Sequence, residues 1–160
     1  MKYTLTYDAG SRLMIVKKQN VLFLSNKLTN TMLYVYGTIT NKDGQKLLRY
    51  VVVTLFFYYK EKIVDNYFKK NIELIRNSFF SMTYYLQVED DIYKIKTALL
   101  PHFKNCCKIF KNDKLIANVD KKHKEFPPHK YEINFYISNT NDHLFGLIHL
   151  LITLTLVDEL

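Results

Sequence analysis

The side chains in this chain that could do chemistry fall into a few groups, and their spacing decides what each can do. His102 and Cys106 lie four residues apart, with Cys107 next to Cys106. On a helix, the first two would share a face and could hold a metal ion. Pro101 and the β-type run from Cys106 onward argue against that helix, so the expectation is two thiols, no metal and no cofactor. Neighbouring residues on a strand point to opposite faces, so a bond between the two cysteines would be strained. Free thiols in a reducing cytoplasm are the simpler reading.

Glu89, Asp90 and Asp91 form the one carboxylate run, and it reads as a solvated turn. It has no second carboxylate at readable spacing, so acid–base catalysis has no support. His149 stands inside an apolar segment, where an enclosed ring needs a hydrogen-bond partner; a tyrosine hydroxyl is the expected one. Thr153 and Thr155 can bond back to helix carbonyls. The chain has no Gly-rich phosphate loop, no Cys-x-x-Cys pair and no His-Glu-x-x-His. These absences leave a binding module, not an enzyme, as the expectation.

The basic groups are more numerous. Lysine pairs or runs occur at Lys17 and Lys18, Lys60 and Lys62, Lys69 and Lys70, and Lys121, Lys122 and Lys124 around His123, with Lys130 nearby. The formal net charge of +8 favours anionic partners. If these lysines converged on one rim they would attract phosphate-bearing headgroups. Candidate contacts to an anionic ligand are therefore Lys17, Lys18, Lys60, Lys62, Lys121, Lys122 and Lys124. An acidic membrane lipid is the first expected partner. Nucleic acid is the second, through lysine–phosphate contacts and stacking on exposed tyrosines. Arginine occurs only at positions 12, 49 and 76, which weakens the nucleic-acid reading, because base and phosphate readers favour its forked geometry.

The elements that would position these groups are mainly strands. A chain of 160 residues with a hydrophobic share of 48% suits one domain with a real core. Its 13 tyrosines and 11 phenylalanines, with many β-branched residues, favour strands. Alternation is clear at Tyr3, Leu5 and Tyr7, and again at Tyr131, Ile133, Phe135 and Ile137. Leu13–Val16 and Val21–Leu24 form a plausible hairpin, and the polar stretch 25–31 reads as a connector. Met32–Thr40 is a strand with Tyr34, Tyr36, Thr38 and Thr40 on one side. Asp43-Gly44 is the strongest hairpin signal. Leu47–Tyr59 is one bent strand or two, and 65–70 is a loop or short helix. Phe79–Val88 is a strand. Cys106–Phe110 pairs with Leu115–Val119 across Lys111–Lys114. The stretch 120–125 is a charged connector. The count is about ten short strands.

Asn139, Thr140, Asn141 and Asp142 signal a helix start. Leu144–Val157 then runs apolar on every side and must be surrounded by protein or lipid. It is shorter than the roughly 20 residues a membrane span requires, and it contains His149, Thr153 and Thr155. The expectation is therefore no transmembrane span. A closed barrel of this many strands leaves a lumen too wide for its own side chains, and this helix, about residues 142–157, would fill it. The expected fold is mostly β (α+β): a closed antiparallel β-barrel of about 10–12 strands around a hydrophobic C-terminal helix, as a single domain over 1–160. The N-terminus has no apolar core of a signal peptide, and the final Val-Asp-Glu-Leu is read as chance.

This layout resembles the tubby C-terminal-like superfamily, shared with phospholipid scramblases and LURP-one-related proteins. The closest stretch is Lys108-Ile109-Phe110-Lys111-Asn112-Asp113-Lys114-Leu115-Ile116-Ala117-Asn118-Val119, similar to a strand–turn–strand unit of small bacterial members. Tyr131-Glu132-Ile133 followed by the terminal helix also fits. As layout the resemblance covers the whole chain; as sequence it covers only the C-terminal third. It implies a twelve-stranded barrel wrapped around the helix, and phosphoinositide binding by basic residues on the barrel wall. No motif carries those residues to particular positions here.

Overall fold

Alternating burial builds a wall with one apolar face, and that face closes around an equally apolar helix. The computed structural model describes residues 1–8, 10–31, 33–55, 58–75, 83–97, 105–122 and 129–158. The first half comprises β1 (Lys2–Asp8), β2 (Leu13–Lys18), β3 (Val21–Asn30), β4 (Tyr34–Asn41), β5 (Lys46–Leu55) and β6 (Tyr58–Asn66). The second comprises β7 (Ile72–Ile75), β8 (Thr83–Val88), β9 (Asp91–Thr97), β10 (Asn105–Lys111), β11 (Lys114–Lys121) and β12 (His129–Phe135). Helix α1 (Thr140–Asp158) follows.

The strands form one antiparallel sheet in the order β6-β5-β4-β3-β2-β1-β12-β11-β10-β9-β8-β7. Every neighbour is consecutive in sequence except β1 and β12, which pair from Lys2↔Asn134 to Tyr7↔His129. The chain thus meanders through both halves and is stapled where its ends meet. The seam falls between β6 and β7, which lie side by side without a ladder among the described residues. The result is a nearly closed barrel.

Several expectations change in detail. The strand count is twelve, the upper end of the expected range. Residues 25–30 are not a connector but the second half of β3. Ser25, Lys27 and Thr29 alternate outward, whereas Asn26 is buried and hydrogen-bonded inside. The run 47–59 is two strands, β5 and β6, and β6 continues through Asn66 where a loop or helix was expected. Lys121 still belongs to β11. Residues 79–82 of the expected strand, and 98–104, lie outside the described residues. The Cys106–Phe110 hairpin forms as expected, with Asn112 and Asp113 at positive φ in its turn. Gly44 also takes positive φ, as the Asp-Gly signal requires.

Helix α1 begins two residues earlier than expected and ends one later. Asn139 caps it: its Oδ1 accepts from the N–H groups of Asn141 (2.9 Å) and Asp142 (3.4 Å). From Phe145 to Thr155 every side is buried. The surrounding wall contributes Leu5, Met14, Val16, Ile39, Leu48, Leu86, Ile95, Ile109, Val119 and Ile133, all within 1% of full burial. Each such side chain contributes about 1.5–3 kcal/mol of burial free energy. Among the described residues no helix is long and apolar enough to cross a membrane.

Candidate anion-binding surface

Outward positions on β9 and β10 set two lysines over one ring and a third lysine across the ladder from one of them. On β9, Tyr93 and Ile95 face the core, so Lys94 and Lys96 face out. On β10, Cys107 and Ile109 face the core, so Lys108 and Phe110 face out. The ladder sets Lys108 directly opposite Lys96 and Phe110 opposite Lys94. Both β9 ammonium groups sit over the Phe110 ring, with Lys94 Nζ at 5.3 Å and Lys96 Nζ at 5.5 Å from its centroid. Lys94 also pairs with Asp113, whose carboxyl is held below its ordinary range by that hydrogen bond. Lys96 and Lys108 are exposed and make no ion pair among the described residues. Directly opposed like charges destabilise a strand pair, so this surface carries a standing electrostatic cost that an anion would relieve.

At the barrel mouth, beside the start of α1, the sign reverses. A recess of about 280 Å³ is lined by Glu89, Asp90, Asp91 and Asp142, with Lys70 and Lys111. Lys111 Nζ bridges Asp142 (2.7 Å) and Asp91 (2.9 Å). The Tyr93 hydroxyl donates to Asp142 Oδ1 (2.8 Å). Burial alone would lower the Lys111 ammonium, but the two carboxylates outweigh it and the net displacement is upward. Asp91 is lowered, chiefly by its bond from Lys111. Tyr93 is raised, first by burial and then by Asp142. Asp91, expected in a solvated turn, instead begins β9 and helps fix the helix to the wall. With four carboxylates against two ammonium groups, the mouth repels an anion. Asp142→Ala is expected to cost about 1–3 kcal/mol, because it strips Lys111 of one partner and leaves the Tyr93 hydroxyl without its acceptor. Urea unfolding at pH 7 reads this out, and a loss below 0.5 kcal/mol would show the link to be idle.

The expected tyrosine partner inside the barrel belongs to a different histidine. Tyr3 Oη lies 3.1 Å from His143 Nδ1, while His143 Nε2 lies 2.8 Å from the Ile137 carbonyl oxygen. His149 has no hydrogen-bond partner among the described residues. Thr155 donates back to the Leu151 carbonyl (2.9 Å), as expected for a helical threonine, but Thr153 does not.

The described lysines among those singled out from sequence lie on β2, on β6 and at the end of β11. Lys17 and Lys18 lie at the end of β2, beside the helix start. Lys62 is exposed on β6, and Lys60 lies on the same strand with its side chain outside the described residues. Lys121 and Lys122 lie where β11 ends, toward the opposite end of the barrel. There Lys122 pairs with Glu132 (2.8 Å), which also holds Lys2 (2.6 Å). Lys124 and the thiol-side partner His102 lie outside the described residues, and Cys107 is a buried free thiol. The Lys94–Lys96–Lys108 cluster spans two strands, so no single run in the sequence displays it. A period of two in Lys94-Ile95-Lys96 and Cys107-Lys108-Ile109 marks all three as outward-facing. Among the described residues no group of three His, Cys, Asp or Glu side chains could hold a metal ion. No protein-family model, curated protein or solved structure matches this chain.

Proposed function

We propose that this protein is a non-enzymatic binding module of tubby C-terminal-like type that holds a phosphate-bearing lipid headgroup on the outer wall of β9 and β10. Twelve antiparallel strands around one C-terminal helix support the family reading. The observation that carries the ligand is the exposed, unpaired Lys96–Lys108 pair beside Lys94 and Phe110. A phosphate between two ammonium groups turns cross-strand repulsion into two charge-assisted hydrogen bonds. A lysine near an anionic membrane contributes about 1 kcal/mol.

Vesicle co-sedimentation tests this. The protein is expected to pellet with vesicles containing phosphoinositide and to remain in solution with neutral ones. Lys96→Glu with Lys108→Glu is expected to weaken binding by about 30-fold or more, from about 2 kcal/mol of lost contact before repulsion is added. Lys17→Glu with Lys62→Glu makes the same change in net charge elsewhere and is expected to weaken it far less. Equal loss in both double variants would leave only a diffuse charge effect. Absence of vesicle binding together with salt-sensitive oligonucleotide binding would replace the lipid by nucleic acid.

A further inference from the structure

Two buried polar side chains on the central helix lack hydrogen-bond partners, and they sit one turn apart. Among the described residues, both ring nitrogens of His149 and Oγ1 of Thr153 are without a partner, and each residue is 1% exposed. Positions four apart lie on the same face of a helix. Helical side chains lean toward the N-terminus, so the Thr153 hydroxyl leans over the turn that carries His149.

The neighbouring threonine shows that this arrangement is not forced. Thr155 bonds back to the Leu151 carbonyl and also meets Tyr50 Oη at 2.7 Å and Asn26 Nδ2 at 3.4 Å. Thr153 is two residues earlier, about 200° round the helix, and so faces away from β3 and β5. It forgoes the same back-bond. The helix lies against β8, β9 and β10.

We infer that one ordered water molecule bridges His149 and Thr153 inside the barrel. Cβ atoms on adjacent turns are about 5–6 Å apart, a separation suited to one bridging water between two polar tips. The neutral imidazole has one N–H and one bare nitrogen. An orphaned buried N–H is the rarer of the two, so the water accepts from the ring N–H and donates to Thr153 Oγ1. The bare nitrogen remains as an acceptor.

Water–protein Overhauser measurements on the isotope-labelled full chain test this. A long-lived water is expected to show cross-peaks to the His149 ring and to the Thr153 side chain. Thr153→Val, nearly isosteric, is expected to abolish the His149 cross-peak, whereas Thr153→Ser, which keeps the hydroxyl, retains it. A crystal structure of the full chain is expected to show a density peak 2.7–3.2 Å from both side chains. This check does not depend on the valine variant folding. No cross-peak in the wild type, a cross-peak that survives Thr153→Val, or a crystal structure in which Thr153 bonds directly to His149 would each overturn the inference.

Discussion

Gly37→Ala is expected to destabilise the fold by about 3–5 kcal/mol, a large share of the 5–15 kcal/mol typical of a domain. Gly37 lies on β4 at an inward position between Val35 and Ile39, directly opposite Tyr50 on β5. The Tyr50 ring lies across it, so that an added Cβ would overlap Tyr50 Cζ, Cε1 and Oη. That overlap lets the hydroxyl reach the helix: Tyr50 Oη sits 2.7 Å from both Thr155 Oγ1 and Asn26 Nδ2. An alanine must push the ring aside. Overpacking costs about 1–3 kcal/mol, and each buried hydrogen bond broken leaves an unsatisfied group at about 1–3 kcal/mol. Urea unfolding should show the full loss in the single variant and a much smaller one when Gly37→Ala is made in a Tyr50→Leu background. A loss below 1 kcal/mol in the single variant would show that the wall yields and that the Tyr50 contact is not specific.

Acidification is expected to remove about 5 kcal/mol of stability through His149 alone. The residue is enclosed, and burial pushes its imidazole down from 6.5 to about 3, with no charged neighbour contributing. The unfolded chain takes up this proton below about pH 6.5, whereas the folded chain resists until about pH 3. The unfolded state therefore binds more protons across that window, and stability falls as the pH falls. Each pH unit is worth about 1.4 kcal/mol, so about 3 kcal/mol is gone by pH 4. His149→Leu is expected to remove this slope and to give a more acid-resistant protein. Asp91, Asp113 and Glu132 are held below their ordinary range by lysines. They add a further loss on acidification, but it is common to both proteins. The difference between the two stability–pH curves isolates the histidine. Parallel curves from pH 7 to pH 4 would mean that a carboxylate or bulk solvent stabilises the charged imidazole in the native state.

The wall and its filling were largely legible in the sequence because both rest on periodicity. Tyr131, Ile133 and Phe135 alternate into the core as expected, and the all-round apolar run Leu144–Val157 had to be surrounded by protein or lipid. Strand ends were less legible where polar residues hold inward positions. Asn26 lies at one of these, and its side-chain bond to Tyr50 depends on a residue 24 positions away. Gly37 is the same case: a glycine inside a strand signals close approach, but not which ring approaches.

Periodicity is a local property, set by how side chains alternate along a backbone. It determined by itself that this chain makes outward and inward faces, a wall of many short strands and one enclosed helix. Which lysines stand together is a property of register between strands, and no local pattern encodes it. Only the β9–β10 ladder puts Lys108 against Lys96, and only closure of β12 onto β1 brings Lys2 and Lys122 to a single carboxylate. The tertiary structure therefore decided which lysines form the candidate anion-binding surface: Lys94, Lys96 and Lys108, apart in sequence, share one outer face of β9 and β10.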